Sequence, residues 1–286
     1  MTLLSASISD QISKRLEQIA RDVPALADTA RLFAAILPIL HDETVPAPTF
    51  PFTQDEIGAQ MEKGPLMDGL HLEIDAERAA DLLLRLAEAA EQAGARVSSD
   101  TIRQLFEQEP GREKSRVFRS LLSDEEREES CAARRDMDIE ICRFLAQAAM
   151  KPQLRSWSRH LAAGMSGRRW ERGTCFVCGS ASVIAELQGN SQEKHLRCGL
   201  CGADWRVDRL SCSSCGNDDH RSLRTFLKDN DPAKPRIEAC DLCRTYVKVI
   251  PAFSPAPVDL LTVEDLATLD LDAAARKQGY HRAPPL

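Results

Sequence analysis

The chain of 286 residues is poor in aromatic side chains and lacks any long apolar run. Aromatic residues make up 5% of it, and no stretch of 18 consecutive apolar residues occurs. Because a membrane-spanning helix needs about 20 such residues, we predict no membrane insertion. The N-terminal residues 1–15 also lack the basic-then-apolar pattern of a secretory leader, which favours a cytoplasmic location.

The usual motifs of catalysis are missing as well. We find no Ser/His/Asp grouping, no phosphate-binding loop and no glycine-rich nucleotide fingerprint. The N-terminal histidines His41, His71 and His160 are scattered, and no role is assigned to them. We therefore predict that the protein is not an enzyme. A net charge of −7 argues against a dedicated nucleic-acid-binding protein.

Cysteine is the residue with the strongest pattern. Eight of the ten cysteines fall between residues 175 and 243, and all eight form Cys-x-x-Cys pairs. The four pairs are Cys175/Cys178, Cys198/Cys201, Cys212/Cys215 and Cys240/Cys243. One such pair is ambiguous between a redox dithiol and half of a metal site. Four pairs so close together predict two complete Cys₄ metal centres, with these eight cysteines as ligands.

The spacing within each pair suits a tetrahedral ion. A Zn²⁺ or iron ion lies about 2.3 Å from each sulfur, so neighbouring sulfurs lie roughly 3.8 Å apart. Two cysteines on one tight turn can supply one edge of that tetrahedron. A glycine after the second cysteine permits the left-handed backbone of the turn, and Gly179, Gly202 and Gly216 occupy that position. Arg244 takes it in the fourth pair, so we expect a looser or more strained turn there.

Which pairs share an ion is a separate question. The first and second pairs are separated by 19 residues, the third and fourth by 24, and the second and third by only ten. The longer gaps fit zinc-ribbon or rubredoxin-like units, in which each turn caps a short hairpin. We therefore predict that the first pair joins the second and the third joins the fourth. Interleaved pairing, first with third and second with fourth, stays open.

Two other uses of the cysteines fit the sequence less well than metal binding. Structural disulfides would need an oxidising compartment, and a thioredoxin-like site would need one motif rather than four. A purely structural metal remains the simplest use of the pairs. Cys131 and Cys142 have no Cys-x-x-Cys partner and are interpreted as small core thiols. Trp205 and Tyr246 each follow a cysteine turn and are predicted to shield the metal sites from water.

The apolar periodicity predicts an α+β fold. An all-helical N-terminal domain (1–165) precedes a small β-rich region with two rubredoxin-like or zinc-ribbon Cys₄ modules (166–253) and a C-terminal helical extension (254–286). Predicted helices cover about 6–21, 24–37, 53–64, 75–94, 99–106, 111–122, 123–150, 152–164 and 263–278. Predicted strands cover 182–187, 196–197, 205–210, 223–227 and 246–250.

Several boundaries rest on capping signals and prolines. Thr53 and Ser123 each open a capping box, Asp75 caps a helix that ends before Gly94, and Pro152 is predicted to start a helix of its own. The last helix is predicted to bury one apolar face. Its members are Leu266, Leu269, Ala273 and Ala274.

At these motifs the sequence resembles the FdhE family of formate dehydrogenase accessory proteins. The matching segments are Cys175-Phe-Val-Cys178-Gly, Leu196-Arg-Cys198-Gly-Leu-Cys201-Gly-Ala-Asp-Trp205, Cys212-Ser-Ser-Cys215-Gly-Asn, Cys240-Asp-Leu-Cys243-Arg-Thr-Tyr246-Val-Lys248 and Glu264-Asp-Leu-Ala-Thr-Leu-Asp-Leu-Asp272 with Gly279-Tyr280. A further match is Phe144-Leu-Ala-Gln-Ala-Ala149 before Pro152. The likeness is specific over about 144–280. It departs at Phe176, where the family usually has proline.

The resemblance implies an accessory or assembly protein, chaperone-like in action, for respiratory formate dehydrogenase. Such proteins act on the catalytic subunit in the cytoplasm before export. The family binds iron through its cysteine pairs, which favours iron in both centres here. Zinc is the alternative, because tetrahedral S₄ sites accept both metals and the affinity order favours zinc over Fe²⁺. Self-association into a homo-oligomer is a separate expectation for the partners of this chain.

Two other functions are kept as alternatives. The first is a rubredoxin-like redox protein that delivers electrons during metalloenzyme maturation. The second is a zinc-ribbon nucleic-acid-binding protein, whose basic patch would comprise Arg168, Arg169, Arg172, Arg206 and Arg209. The acidic total and the scarcity of aromatic residues weigh against this second alternative.

Overall fold

The computed structural model describes residues 7–46, 53–69, 75–107, 138–162, 165 and 168–283. The described helices and strands follow the predicted α+β order, with helices first, a sheet after them and helices again at the end. The helices are α1 (Ile8–Asp22), α2 (Ala27–Asp42), α3 (Gln54–Lys63), α4 (Leu66–Gly69), α5 (Ala76–Gln92), α6 (Ser99–Glu107), α7 (Ile139–Ala162), α8 (Val258–Ala267) and α9 (Leu269–Lys277). Short 3-10 turns occur at Pro24–Leu26 and Lys228–Asn230.

Seven strands form one sheet. They are β1 (Ser182–Gln188), β2 (Glu193–Cys198), β3 (Asp204–Arg206), β4 (Leu223–Leu227), β5 (Arg236–Cys240), β6 (Thr245–Pro251) and β7 (His281–Arg282). Their order is β3-β2-β1-β6-β5-β4, and β7 also pairs with β6. The fold class predicted from the sequence is confirmed.

The contacts divide the chain into two compact units. The first comprises the described residues within 1–45 and 73–153, and the second those within 46–72 and 154–286. The stretch 46–72 therefore groups with the sheet, although it lies within the predicted helical domain. The predicted domain limits at 165 and 253 stay a prediction.

The first unit is held together by helix faces with apolar residues at helical spacing. Ile12, Leu16 and Ile19 of α1 are buried, as are Leu82, Leu83 and Leu86 of α5. Phe33 of α2 stacks on Phe144 of α7, with ring centroids 5.6 Å apart. This is the core expected from the periodicity of the N-terminal sequence.

The predicted caps at Thr53 and Asp75 are present. The Thr53 hydroxyl accepts from the Glu56 amide, and the Glu56 carboxylate accepts from the Thr53 amide at 2.7 Å. Asp75 caps α5 in the same way through the Arg78 amide, and Gly94 follows that helix with φ of +88°. Outside the described residues lie the predicted helix over 111–122, the Ser123 capping box and Cys131.

Two helix boundaries predicted at prolines were wrong. α2 runs through Pro38, and α7 runs through Pro152, which was predicted to start a separate helix. A proline removes one backbone hydrogen bond from a helix interior. In α7 the segments on both sides carry buried residues, among them Leu145 and Leu154, so packing outweighs that local loss.

The sheet of the second unit is two similar ribbons joined side by side. In the first ribbon a cysteine turn precedes β1, and β1, β2 and β3 follow, with the second turn between β2 and β3. In the second ribbon β4, β5 and β6 repeat that order around the third and fourth turns. The sequence showed the repeated cysteine pairs, and the structure adds a repeated topology.

A parallel pairing joins the two ribbons. Ala185 of β1 lies opposite Val249 of β6, and the two strands run in the same direction. β1 begins at Ser182, opposite Cys198, and β6 begins two residues after Cys243. Because parallel strands start at the same end of a sheet, both cysteine groups lie at one end of this sheet.

The predicted strands need three changes. β2 is longer than predicted, β3 ends at Arg206, and β5 and β7 were missed. The alternating segment Arg236-Ile-Glu-Ala-Cys240 of β5 was overlooked beside a turn-rich loop. β5 pairs antiparallel with both β4 and β6, so it is central to the second ribbon.

The predicted C-terminal helix is two helices, α8 and α9, with a break at Thr268. The predicted buried face is correct at Leu266, before the break, and wrong after it. Leu271 and Ala275 are buried, while Leu269 is 38% exposed and Ala273 and Ala274 face solvent. The break changes the helical register, which a single periodicity could not anticipate.

A buried ammonium group explains the break. The Lys248 side chain is 1% exposed, and its Nζ donates to the Asp265 carbonyl at 2.7 Å and the Thr268 carbonyl at 3.4 Å. The last carbonyls of a helix have no partner within it, so Nζ supplies a donor at the end of α8, and the Thr268 carbonyl also accepts from the Leu271 amide at 3.1 Å. Nζ also lies 2.7 Å from Asp272 of α9. One lysine of β6 thus ties both helices to the sheet.

Candidate metal centres

The eight paired cysteines form two clusters at the hairpin ends of the ribbons. Within each cluster all four Sγ atoms lie within 4.8 Å of one another. The first cluster is Cys175, Cys178, Cys198 and Cys201, and the second is Cys212, Cys215, Cys240 and Cys243. The structure therefore groups the pairs sequentially, and the interleaved arrangement is not found.

The four cysteine turns share one backbone geometry. In each turn the amide after the second cysteine donates to the carbonyl of the first cysteine, at 2.9 to 3.1 Å. That residue has a left-handed φ of +75° in Gly179 and Gly202 and +73° in Gly216. Amides inside three of the turns point at a sulfur at 3.4 Å, as Val177 does toward Cys175. Amides in this position can stabilise a negatively charged sulfur.

Arg244 adopts the same left-handed conformation without being glycine. Its φ is +60°, and its amide donates to the Cys240 carbonyl at 2.9 Å. The fourth turn is therefore strained rather than loose. Side-chain contacts offset the strain, because the guanidinium donates to the Gln278 carbonyl at 2.8 Å and lies 4.3 Å from the Tyr280 ring centroid.

Sulfur–sulfur distances fit a tetrahedral ion. Cys175 and Cys178 lie 3.5 Å from Cys201 and Cys198 respectively. In the second cluster the distances are 3.7 Å from Cys212 to Cys243 and 3.9 Å from Cys215 to Cys240. Tetrahedral thiolate sites need edges of roughly 3.8 Å. The described cysteines form no disulfide bond.

The electrostatics of the clusters favour the binding of a cation. Burial raises the pKa of the Cys175 thiol, while hydrogen bonds from the Cys175 and Cys198 thiols lower the pKa of Cys178. Protons are therefore shared unevenly among the sulfurs, because adjacent thiolates repel one another. Four thiolates at these distances require positive charge between them, so the donor set fits a divalent or trivalent metal ion.

In the second cluster too, the pKa values of the thiols shift in opposite directions. Burial and the neighbouring Cys243 and Cys212 thiols raise the pKa of Cys215 to about 12, against an opposing hydrogen bond from Asn217. Burial also tends to raise the pKa of Cys243, but hydrogen bonds from Thr245 outweigh it, and that pKa falls to about 7.

The clusters differ in exposure. In the first cluster Cys175, Cys198 and Cys201 are at most 1% exposed and Cys178 is partly exposed, whereas in the second cluster only Cys240 is buried and Cys215 is exposed. Phe176, at the family's usual proline position, is 1% exposed and packs edge-to-face on Trp205 with centroids 6.4 Å apart. Trp205 therefore packs on the first turn, and its shielding of the metal site from water stays a prediction.

Tyr246 lies in the hydrophobic core and not over a metal site. It packs with Ile237, Leu271 and Ala275 between the sheet and α9. Its hydroxyl donates to the buried Asp272 at 2.6 Å. Buried charged groups such as Asp272 and Lys248 were not anticipated, because a lysine in a strand gives no sequence signal of burial.

The arginines of the nucleic-acid alternative partly converge. Arg168, Arg169, Arg206 and Arg209 line a cavity of about 820 Å³. Glu171, Glu193 and Asp208 line it too, and the first two lie 3.4 Å from Arg169 and 3.0 Å from Arg206. These acidic partners reduce the positive charge that a nucleic acid would need. Cys142 is buried in α7, as expected of a core thiol.

Comparisons with known proteins agree with the cysteine clusters. Residues 210–285 match the family model of the FdhE C-terminal domain. The resemblance to the FdhE family is confirmed. Protein FdhE of Escherichia coli O127:H6 is 36% identical over 115 residues, which are 40% of this chain and 36% of that protein. The FdhE homolog of Shewanella oneidensis is 36% identical over 113 residues, or 38% of this chain and 36% of the homolog.

The matched segment thus spans little more than a third of these FdhE relatives. The crystal structure of the FdhE protein from Pseudomonas aeruginosa is similar over more of the chain, with a TM-score of 0.59 and 24% identity. That match covers 97% of this chain and 94% of the other, and it establishes the shared fold. Among the described helices, none combines the length and apolar character needed to cross a bilayer.

Proposed function

We propose that the two cysteine clusters bind metal ions and that the chain is an accessory protein in the maturation of formate dehydrogenase. The observation that carries the proposal is the pair of Cys₄ clusters, one of which lies within the segment matching the FdhE C-terminal domain. All eight cysteines act as ligands. Four sulfurs complete a tetrahedron, so neither ion keeps an open position for a substrate.

The metals are taken to be iron, with zinc as the alternative. The sulfur edges suit both ions, and the family resemblance favours iron. Iron would give each centre a one-electron redox state, whereas zinc would not. Metal analysis together with a visible spectrum of anaerobically purified protein distinguishes them. Thiolate-to-iron absorption bands that bleach on reduction identify iron, and a colourless protein containing zinc identifies the alternative.

The partner is the catalytic subunit of formate dehydrogenase, bound in the cytoplasm before export. On this proposal the metals hold the ribbons in a fixed shape, and the resulting surface contacts the subunit. A tagged chain should co-purify with the catalytic subunit from cell extract. The double variant Cys175→Ser/Cys240→Ser, which removes one ligand from each cluster, should lose that association, whereas Lys277→Met, at an exposed position, should keep it.

Deletion of the gene tests the same proposal in cells. Formate dehydrogenase activity should fall in the deletion strain and return with the wild-type chain. Normal activity in the deletion strain would count against an accessory role, whatever the metal content.

A redox function is the second candidate, and the exposure of Cys215 favours it. A surface thiolate brings an iron centre close enough to a partner for electron transfer. A zinc-loaded chain that still restores the deletion strain would remove this candidate and leave the accessory role intact.

A further inference from the structure

We infer that the two centres divide their tasks, with the second cluster exchanging its metal with soluble ligands and the first retaining it. The inference rests on the proposed metal binding and adds a functional difference between the centres. The observation behind it is that two clusters of the same topology have different surroundings.

The first cluster is enclosed on the side of its first turn. Phe176 and Val177, between Cys175 and Cys178, are 1% and 0% exposed. Their carbonyls accept hydrogen bonds at 2.8 and 2.9 Å from the amides of Leu66 and Met67, at the start of α4. A ligand that approaches from this side must displace this covering segment before it reaches a sulfur, and of the four cysteines only Cys178 is partly exposed. Release of the ion breaks all four bonds, so it needs a local opening around the three buried sulfurs.

The second cluster has no comparable cover among the described residues. Ser214 and Leu242 occupy the position equivalent to Val177 in the third and fourth turns, and both face solvent, Leu242 with 70% exposure. Cys215 itself is exposed. A soluble ligand can therefore approach that sulfur with the fold intact.

A cavity borders the same cluster from a second direction. It has a volume of about 570 Å³, and Cys212, Ser213 and Ser214 of the third turn form part of its wall. Both cationic and acidic side chains line it, among them Lys194, Arg236 and Glu238, and the Glu238 carboxylate lies 2.7 Å from Lys194 and 3.0 Å from Arg236. The third turn thus has open space beside Cys212 in addition to the exposed Cys215. Small soluble chelators and thiols are the chemical class that this open space admits.

The exchange itself is a ligand substitution that leaves the oxidation state unchanged. The chelator takes the metal ion, and each cysteine thiolate set free takes up one proton from solvent. Cys215 is the residue whose bond opens first.

The test is the rate of metal release from the full chain. Protein loaded with two equivalents of Zn²⁺ is mixed with the chromogenic chelator 4-(2-pyridylazo)resorcinol, and released metal is followed by absorbance. We expect one fast and one slow equivalent, with rates that differ by about tenfold or more, because only the slow one requires local opening.

Variants that lack one cysteine ligand show which cluster releases the fast equivalent and which the slow one. Cys215→Ser should remove the fast equivalent and leave the slow one, and Cys178→Ser should do the reverse. A fast phase that persists in Cys215→Ser, or two equivalents released at one rate from the wild-type chain, overturns the inference. A wild-type chain that binds fewer than two ions overturns the proposed metal binding instead, so the two failures are distinguishable.

A matched pair of cover variants tests the physical cause. Val177→Ala removes buried cover from the first cluster and should accelerate the slow phase. Leu242→Ala changes the equivalent but exposed position and should leave both phases unchanged. An unchanged slow phase in Val177→Ala shows that burial does not retain the metal.

Discussion

At the scale of single residues, the fourth cysteine turn combines strain with compensation. Three turns use glycine at the left-handed position, and Arg244 occupies it in the fourth. A left-handed conformation costs an L-residue roughly 1–2 kcal/mol. The contacts of the guanidinium with Gln278 and Tyr280 offset part of that cost.

Two substitutions at this position separate the strain from the contacts. Arg244→Ala keeps the strain and loses the contacts, so we expect a loss of about 1–2 kcal/mol in the free energy of unfolding. Arg244→Gly loses the same contacts but relieves the strain, and should stay within about 0.5 kcal/mol of wild type. Denaturant unfolding of the metal-loaded chain measures both. An alanine variant as stable as the glycine variant contradicts this account.

Gly173 illustrates a purely steric requirement. A Cβ atom at this position would lie 2.0 Å from the carbonyl oxygen of Ser213 in the third turn. Since backbone must move to make room, Gly173→Ala should displace that turn and lower the affinity of the second cluster for metal. Gly64→Ala is the control for adding a methyl group, because Gly64 has an extended backbone with φ of 174° and an added Cβ would meet only Asp68 Oδ2, at 3.6 Å. Metal titration should show one weakened site in Gly173→Ala and two unaffected sites in the control.

At the scale of elements, Lys248 anchors α8 and α9 to β6. Its ammonium and the Asp272 carboxylate are each about 1% exposed and lie 2.7 Å apart. Removing one partner from a buried ion pair leaves the other charge without compensation, at a cost of about 3–5 kcal/mol. We therefore expect Lys248→Met to lower the free energy of unfolding by that amount, while the exposed Lys277→Met leaves it unchanged. A loss below about 1 kcal/mol in Lys248→Met would show that Tyr246 and Arg282 suffice to hold Asp272.

The start of α6 has a pH-sensitive cap. The Glu91 carboxylate accepts from the Ser99 hydroxyl at 2.7 Å and from the Ser99 amide at 3.1 Å, and these bonds lower the pKa of Glu91. A lowered carboxyl pKa adds stability that is complete above the unfolded-state pKa of 4.5 and is lost as the pH falls through the folded-state value.

Glu91→Gln removes that titration. The difference in melting temperature between wild type and Glu91→Gln should therefore shrink between about pH 6 and pH 3, followed by helical circular dichroism. A difference that stays constant over this range would mean that the carboxylate charge does not stabilise the cap.

The elements also show where sequence reasoning succeeds. Thr53 and Asp75 were recognised as caps, because capping depends on side chains within four residues. The helix boundary predicted at Pro152 is wrong, because the burial of Leu145 and Leu154 on either side of it is decided by distant elements. β5 could have been found from its alternation. The break at Thr268 could not, because it depends on a lysine twenty residues earlier in the chain.

At the scale of the whole molecule, the candidate site was the most predictable part. The eight cysteines and their sequential grouping follow from short spacings along the chain. The difference in exposure between the clusters does not, because the segment that covers the first turn comes from α4, more than a hundred residues upstream. The parallel pairing of β1 with β6 likewise joins residues far apart in sequence.

Removal of metal should affect the two compact units differently. A structural Cys₄ site contributes on the order of 10 kcal/mol to local folding at neutral pH. A strong chelator should therefore unfold the ribbons over about residues 170–250 and leave the helices of the first unit largely intact. Hydrogen exchange measured before and after chelation locates the change. Loss of protection in α1 and α5 together with the ribbons would contradict this independence.

The fourth turn also holds the end of the described chain. The Arg244 carbonyl accepts from the His281 amide at 2.9 Å, and the Arg244 guanidinium holds the carbonyl of Gln278. Hydrogen bonds therefore hold residues 278–282 against the loop that carries Cys243. If loss of the metal unfolds that loop, these contacts are lost. The susceptibility of this C-terminal segment to proteolysis then reports whether the second cluster contains metal.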